Sequence, residues 1–303
     1  MSYHRPVMPR ESLEGLAIDP SGVYVDATFG GGGHSQLILD QLGPEGRLIA
    51  FDQDPDAQEN VPDDDRLVFV PQNFKFLHRY LRLYGHPKVH GILADLGVSS
   101  HQFDEGERGF SYRFEADLDM RMNRQEGKTA ADIVNSYSAG DLQSVFGNYG
   151  EVRNARTLAQ AIVRERNQRE IRTTQDLLRI VEPVIRGQKL RYLSQVFQAL
   201  RIEVNQEMEV LAEFLQQAKD CLLPGGRLVV ISYHSLEDRL VKNFLRSGHV
   251  DGHIEKDFYG HIYRPFEVIT RKAAGPTDSE ISENPRARSA KMRIAALKPE
   301  EHG

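Results

Sequence analysis

The chain of 303 residues has no tryptophan and one cysteine, and no apolar run in it reaches the length of a membrane span. A single thiol, Cys221, excludes an internal disulfide and a multi-cysteine zinc site, and fits a reducing compartment. The opening "MSYHRPVMPRE" lacks the apolar stretch of a signal peptide, so a cytoplasmic protein with no membrane partner is expected. His249, His253 and His261 are only loosely at ligand spacing and have no acid cluster beside them, so no metal site is expected. Positive charge is in deficit too, and a net charge of −6 does not by itself point to nucleic acid. The basic residues are clustered, however. From Glu151 to Arg191 ten Lys and Arg face five Asp and Glu, a local +5. That stretch is either a phosphate-binding face or a set of solvated helix surfaces.

The first hundred residues alternate strand and helix. "VYVDATF" (23–29), "RLIAFD" (47–52), "LVFV" (67–70) and "VHGILADLG" (89–97) read as strands; "SQLILDQLG" and "FKFLHRYLRLYG" read as helices stopped by glycine. Strands separated by helices imply a parallel sheet covered on both faces. Residues 97–127 then read as a long polar loop, and 128–200 as all helix. "VFQALRIEVNQEMEVLAEFLQQAKDCLL" returns the chain to the sheet, and "GRLVVISYHS" is a fifth strand entered through a Pro224-Gly225-Gly226 turn. The helix after it has Ser235 and Asp238 at capping-box spacing. "FEVIT" and "KMRIAAL" are candidates to close the sheet, one of them antiparallel. The expected organisation is an α/β domain with a mostly parallel sheet (1–127 and 201–303), interrupted by an inserted, basic, helical substrate-recognition domain (128–200).

Gly30 to Gly33 join the first strand to a helix. A backbone that bare lets a ligand approach closely. The dinucleotide fingerprint needs glycine at 30, 32 and 35, and Ser35 breaks it, which disfavours NAD. Asp52 ends the second strand and Asp95 the fourth, at the carboxyl edge where open sheets bind ligands. A glycine loop with two such acids suits S-adenosylmethionine, which has a ribose and a cationic sulfonium but no phosphate. Phe74 is a candidate wall beside the adenine, or plain core. His34 either packs on the ligand or caps the helix.

"LADLGVSSHQFDEGERGFSY" crowds polar groups onto the same edge. Methyl transfer needs a nucleophile held in line, and position and charge do most of the work. For an exocyclic amine, whose lone pair is delocalised into the ring, Asp95 is the best-placed hydrogen-bond acceptor. Ser99, Ser100 and Gln102 are candidates to hold cofactor or base. Phe110 and Tyr112 either stack on a flipped base or pack within the loop. His234 either positions the substrate and relays a proton, or bonds near the helix start. Methylation at carbon 5 of a pyrimidine needs a thiolate, and Cys221, in the apolar "KDCLLPGG", reads as inert core. "NPRARSAKMR" carries Arg286, Arg288, Lys291 and Arg293, either for phosphates or to brace the acidic loop.

Taken together, "DATFGGGGHS", "FDQDP", "GILADLGVSSHQFDEGERGFSY", "LDMRMN", "VFQALRIEVNQE", "LPGGRLVVISYHSLEDRLVK" and "NPRARSAKMR" closely resemble the bacterial small-subunit ribosomal RNA methyltransferase H family, over nearly the whole chain. The resemblance implies a class I, Rossmann-like methyltransferase fold with an inserted helical domain. It implies S-adenosylmethionine as donor, and as substrate the N4 amine of a cytidine of 16S rRNA, near the decoding site of the small ribosomal subunit. The family's cofactor positions fall on Gly32, Gly33, His34, Asp52, Phe74, Asp95 and Gln102. Asp95 and His234 are the catalytic candidates. Two departures stand out: Pro9 and Arg10 where the family continues apolar, and strand four ending in "DLGV" where many amino-methyltransferases have a D-P-P-Y type motif. Competing readings are a methyltransferase for protein or small molecules, a non-catalytic sensor of the donor and, least favoured, an NAD oxidoreductase. Oligomeric state, monomer or homodimer, is open.

Overall fold

In a computed structural model, residues 6–97, 108–256 and 258–299 are described. The chain forms two compact units, Met1–Gly97 with Glu209–Gly303, and Val98–Met208.

The first unit is built on a seven-stranded sheet. Its strands are β1 (Val23–Asp26), β2 (Arg47–Phe51), β3 (Leu67–Val70), β4 (Val89–Asp95), β5 (Leu222–Ser232), β6 (Phe266–Val268) and β7 (Lys291–Leu297), in the order β3-β2-β1-β4-β5-β7-β6. The β3-to-β5 pairings are parallel, while β7 runs antiparallel to both β5 and β6. Both closing strands therefore exist, and the antiparallel one is inserted between β5 and β6. This is the class I methyltransferase order.

Period-two alternation divides the strands between two cores. Val25, Ile92, Ala94, Leu228 and Val230 face a cluster that holds Leu77 and Leu81 of α3 (Leu77–Leu83), Phe214 and Leu215 of α9 (Glu207–Cys221) and Phe244 of α10 (Ser235–Ser247). Tyr24, Leu93, Val229 and Ile231 face Leu16 of α1 (Pro9–Leu16) and Ile38 and Leu39 of α2 (Gly33–Leu39). Cys221 lies in the first cluster, fully buried, its thiol pushed up to about 11 by burial. Pro9 has a simple local reason: it opens α1, where a missing amide costs nothing.

The expected turn at Pro224-Gly225-Gly226 is an irregularity inside β5 instead. Val89 pairs with Leu222 but Gly91 pairs with Arg227, and the intervening residues loop out, with Gly225 at φ 82°. The capping box of α10 is likewise one residue earlier than expected, at His234 and Glu237.

The second unit is helical: α4 (Ala130–Ser136), α5 (Ala139–Asn148), α6 (Ala155–Arg166), α7 (Thr174–Val181) and α8 (Lys189–Asn205). Capping boxes start α4, α5 and α7, from Thr129, Ser138 and Thr173. The unit is larger than the segment 128–200 marked out by helical pattern. Phe110, Leu118 and Met120, from the stretch that reads as loop, belong to its core, and Asn205 donates to the Met120 carbonyl at 2.8 Å while accepting from the Met122 amide at 2.8 Å. Arg108, 1% exposed, donates to the carbonyls of Arg121 and Met122 and lies over the Phe110 ring. Tyr112 packs edge-on against Phe197 at 5.7 Å. Phe110 and Tyr112 are thus loop packing.

Candidate active site

In the sheet order, β1 stands between β2 and β4, so the chain direction of the winding reverses there. The carboxyl ends of β1 and β4 flank the switch point, where open α/β sheets leave a crevice. The glycine loop leaves β1 at that point. Gly30 and Gly32 have φ of 52° and 76°, a region side chains avoid, and a Cβ on Gly32 would come within 2.9 Å of the Phe29 ring.

Asp26, the last residue of β1, is fully buried. Its carboxylate accepts from the Thr28 amide at 3.1 Å and from the Ser35 hydroxyl at 2.7 Å. This explains Ser35 in place of a third glycine: the hydroxyl holds a buried acid. Burial raises the Asp26 pKa, against the pull of His34 and of its two hydrogen bonds.

Asp52 follows β2, half-buried. One oxygen accepts from the Gly30 amide at 2.7 Å and the other from the Asp54 amide at 2.8 Å, so this acid folds the glycine loop against the end of β2. Burial raises its pKa to about 6, although the two backbone hydrogen bonds oppose the shift. Phe74 reaches the same edge. Asn73 beside it donates to the Gln53 side chain at 2.8 Å, and the Phe74 ring packs edge-on to Phe214 at 5.0 Å, half-buried.

Asp95 ends β4, with its amide donating to the Thr28 hydroxyl at 2.7 Å. Its two oxygens meet different neighbours. Oδ1 accepts from the Tyr233 hydroxyl at 2.7 Å; Oδ2 lies 3.5 Å from Nε2 of His34. That nitrogen is buried and has no hydrogen-bond partner among the described residues. Burial lowers the His34 pKa, but Asp95 and Asp26 outweigh it, and the imidazole stands above its ordinary value. His34 therefore points at Asp95 and does not cap α2, whose capping position is Gly32.

Tyr233 is not among the sequence candidates. Its ring also covers the turn after Asp95, 3.4 Å from where a Cβ on Gly97 would stand. Burial and the Asp95 charge raise its pKa, so it stays a donor. His234 is turned another way. Its Nδ1 accepts from the Glu237 amide at 3.4 Å and Nε2 lies 3.2 Å from a Glu237 oxygen, while Glu237 accepts from the Tyr233 and His234 amides. Of its two readings, the helix start is the one the geometry matches. Ser99, Ser100 and Gln102 lie outside the described residues.

The C-terminal run divides. Arg293 donates to Asp238 at 2.7 Å, with Lys291 3.6 Å from the same carboxylate, so these two brace α10 and not the acidic loop. Arg286 and Arg288 are exposed.

A sequence profile of the MraW methylase family matches residues 1–298. The chain belongs to that family. Among its MraW relatives, the ribosomal RNA small subunit methyltransferase H of Parabacteroides distasonis is 56% identical over 295 residues, 97% of each chain. The protein of the same name from Bacteroides thetaiotaomicron is 54% identical over 299 residues, 98% of each. A solved structure, an rRNA methylase of Streptococcus thermophilus, aligns over 95% of both chains with 12% identity and a TM-score of 0.44. The assignment of this MraW chain to the class I fold is read from its own strand order.

The site fits the donor that goes with an MraW methylase. A half-buried carboxylate beside a glycine loop suits a ribose. Asp95, a carboxylate at the switch point with one oxygen held by Tyr233, suits a cationic sulfonium.

Proposed function

We propose that this MraW-family methyltransferase acts on the exocyclic N4 amine of a cytidine in 16S rRNA, near the decoding site of the small ribosomal subunit. S-adenosylmethionine is the donor and supplies an electrophilic methyl on sulfur. The observation that carries the reading is Asp95: a carboxylate at the switch point with one oxygen held by Tyr233 and the other, among the described residues, 3.5 Å from His34. The names of the relatives supply the rRNA.

Asp52 accepts hydrogen bonds from the ribose hydroxyls, and Gly32 and Gly33 let the donor lie on bare backbone. Phe74 walls the adenine. His34 stands at the sulfonium end with Asp95, and Gln102 completes the set. Oδ2 of Asp95 would accept an N–H of the cytosine amine, which turns the nitrogen lone pair toward the methyl group. As the N–C bond forms the C–S bond breaks, neutral S-adenosylhomocysteine leaves, and the proton shed by nitrogen passes to this carboxylate or to water. No nucleophilic thiol is needed at nitrogen, in keeping with the buried, protonated Cys221. His234 serves the start of α10.

The test is transfer of labelled methyl to small subunits from cells lacking this protein, and to the matching naked RNA, with the product nucleoside identified by mass spectrometry. N4-methylcytidine is the expected product. Label on another atom, or none with the donor still bound, overturns the reading.

Asp52 also predicts a pH dependence. Its ionised form is the better acceptor for a ribose, so donor affinity should fall as pH drops through about 6. Calorimetric titrations from neutral to mildly acid pH read this directly, and Asp52→Asn should flatten the profile. In the donor-free protein the sign reverses. The folded state holds this proton more tightly than an unfolded carboxyl at 3.8, so the group adds stability as pH falls from about 6 toward 3.8.

A further inference from the structure

Ten basic residues lie between Glu151 and Arg191, and the fold treats them unequally. Arg166 donates to the carbonyls of Val134 and Tyr137 at 2.9 and 2.7 Å and closes the end of α4. Arg164 pairs with Glu165, Arg172 with Glu170, Arg169 and Arg179 with Asp176, and Lys189 with Glu182. Each of those charges has an acid beside it. Arg153, Arg156, Arg186 and Arg191 are exposed, with no hydrogen bond or ion pair among the described residues.

These four come from three separate places in the chain, and one side chain ties the places together. Asn154 donates to the Val184 carbonyl at 2.8 Å and accepts from the Tyr192 hydroxyl at 3.0 Å. Arg153 and Arg156 flank Asn154. Arg186 stands two residues past Val184, and Arg191 adjoins Tyr192. The charge of Arg186 acts on the Tyr192 hydroxyl, so the two sides of the junction share a field. Glu182, the acid nearest Arg186 in the chain, is neutralised by Lys189 at 2.6 Å.

We infer that Arg153, Arg156, Arg186 and Arg191, gathered at the Asn154 junction, are the RNA-phosphate-binding surface of the helical unit. The inference rests on the rRNA reading above and narrows it from the basic stretch Glu151 to Arg191 to four side chains. Guanidinium groups without carboxylate partners match a phosphate backbone. Paired arginines present a field reduced by the neighbouring acid.

The test compares two variants with equal loss of charge. One carries Arg153→Gln, Arg156→Gln, Arg186→Gln and Arg191→Gln; the other carries Arg164→Gln, Arg169→Gln, Arg172→Gln and Arg179→Gln. Both alter exposed side chains, and donor binding with circular dichroism checks their folding. Binding to small subunits from cells lacking the protein, and to the naked RNA, is measured across a potassium chloride titration. Each phosphate contact contributes about 0.7 to the log–log salt slope for single-stranded nucleic acid, so the first variant should lose roughly 3 units of slope on both acceptors. The second should lose less than about one. A third variant, with Arg→Lys at the four junction positions, should keep most of the slope. Equal losses in both Gln variants, or none in the first, overturn the inference. So does a first variant that loses subunit binding while its slope on naked RNA is unchanged, which marks a protein contact. Failure of the rRNA reading is separately visible: the unaltered protein would then not methylate either acceptor.

Discussion

Asp95→Ala is expected to reduce methyl transfer by between roughly a hundredfold and ten-thousandfold, the range for losing a positioned acid–base or hydrogen-bonding group. Two losses combine. The amine loses the acceptor that aligns its lone pair, and the Tyr233 hydroxyl loses its carboxylate. His34 also loses the charge that holds its pKa up, and the positive end of the donor loses the carboxylate that balances it. Asp95→Asn keeps the shape and drops the charge, and its rate should fall nearly as far. Because Asp95 also stands at the sulfonium end, donor affinity must be measured beside the rate. A fall in single-turnover rate at saturating donor assigns the effect to the amine. A variant with full turnover removes Asp95 from the chemistry.

Arg201→Met should destabilise the helical unit by about 3–5 kcal/mol, the usual result of leaving one member of a buried ion pair behind. Arg201 on α8 meets Glu207, the first residue of α9, through two bonds of 2.7 and 2.9 Å, and the two side chains are only 14% and 10% exposed. Between them Gln206 takes φ 50°, so the pair spans a sharp break between helices. Adding Glu207→Gln to Arg201→Met should recover part of the loss, since the carboxylate that Arg201 balanced is then neutral. Urea unfolding followed by far-ultraviolet circular dichroism gives the three values. Equal stability of Arg201→Met and the unaltered protein would show that the pair is merely decorative. The same pair gives "VFQALRIEVNQE" a structural meaning: Asn205 anchors the segment around Met120 and Arg201 bridges the break.

What the residues alone make legible is whatever is local. Strand–helix alternation, the glycine loop and the two strand-end acids all lie within short windows, where period and turn chemistry are visible. Ser35 is legible as a broken fingerprint, but its task is not, because its partner Asp26 is nine residues away across the loop. His234 is visible as a histidine at a strand end. Which way it turns depends on Glu237, and the box lies one residue before the Ser235–Asp238 spacing. Tyr233 escapes notice for a different reason. Asp95 pairs with Ile231, two residues short of Tyr233, so the contact follows only once β4 and β5 are known to be neighbours. Sheet order is not written in either strand. The extent of the helical unit is hidden similarly, since residues 108–127 carry no period and are held by Arg108 and Asn205 from within.

That neighbour relation has a consequence in time. β4 and β5 lie side by side and in parallel at the centre of the sheet, yet the whole helical unit is made between them in the chain. Closing so long a loop carries a large entropic cost while the intervening residues are unstructured. Local helical contacts form much faster than distant strand pairings. A nascent chain that has built its helices leaves less unstructured length between the two strands. Pairing of β4 with β5, and with it the meeting of Asp95 from one strand and Tyr233 from just beyond the other, is therefore expected to follow local folding of the helical unit.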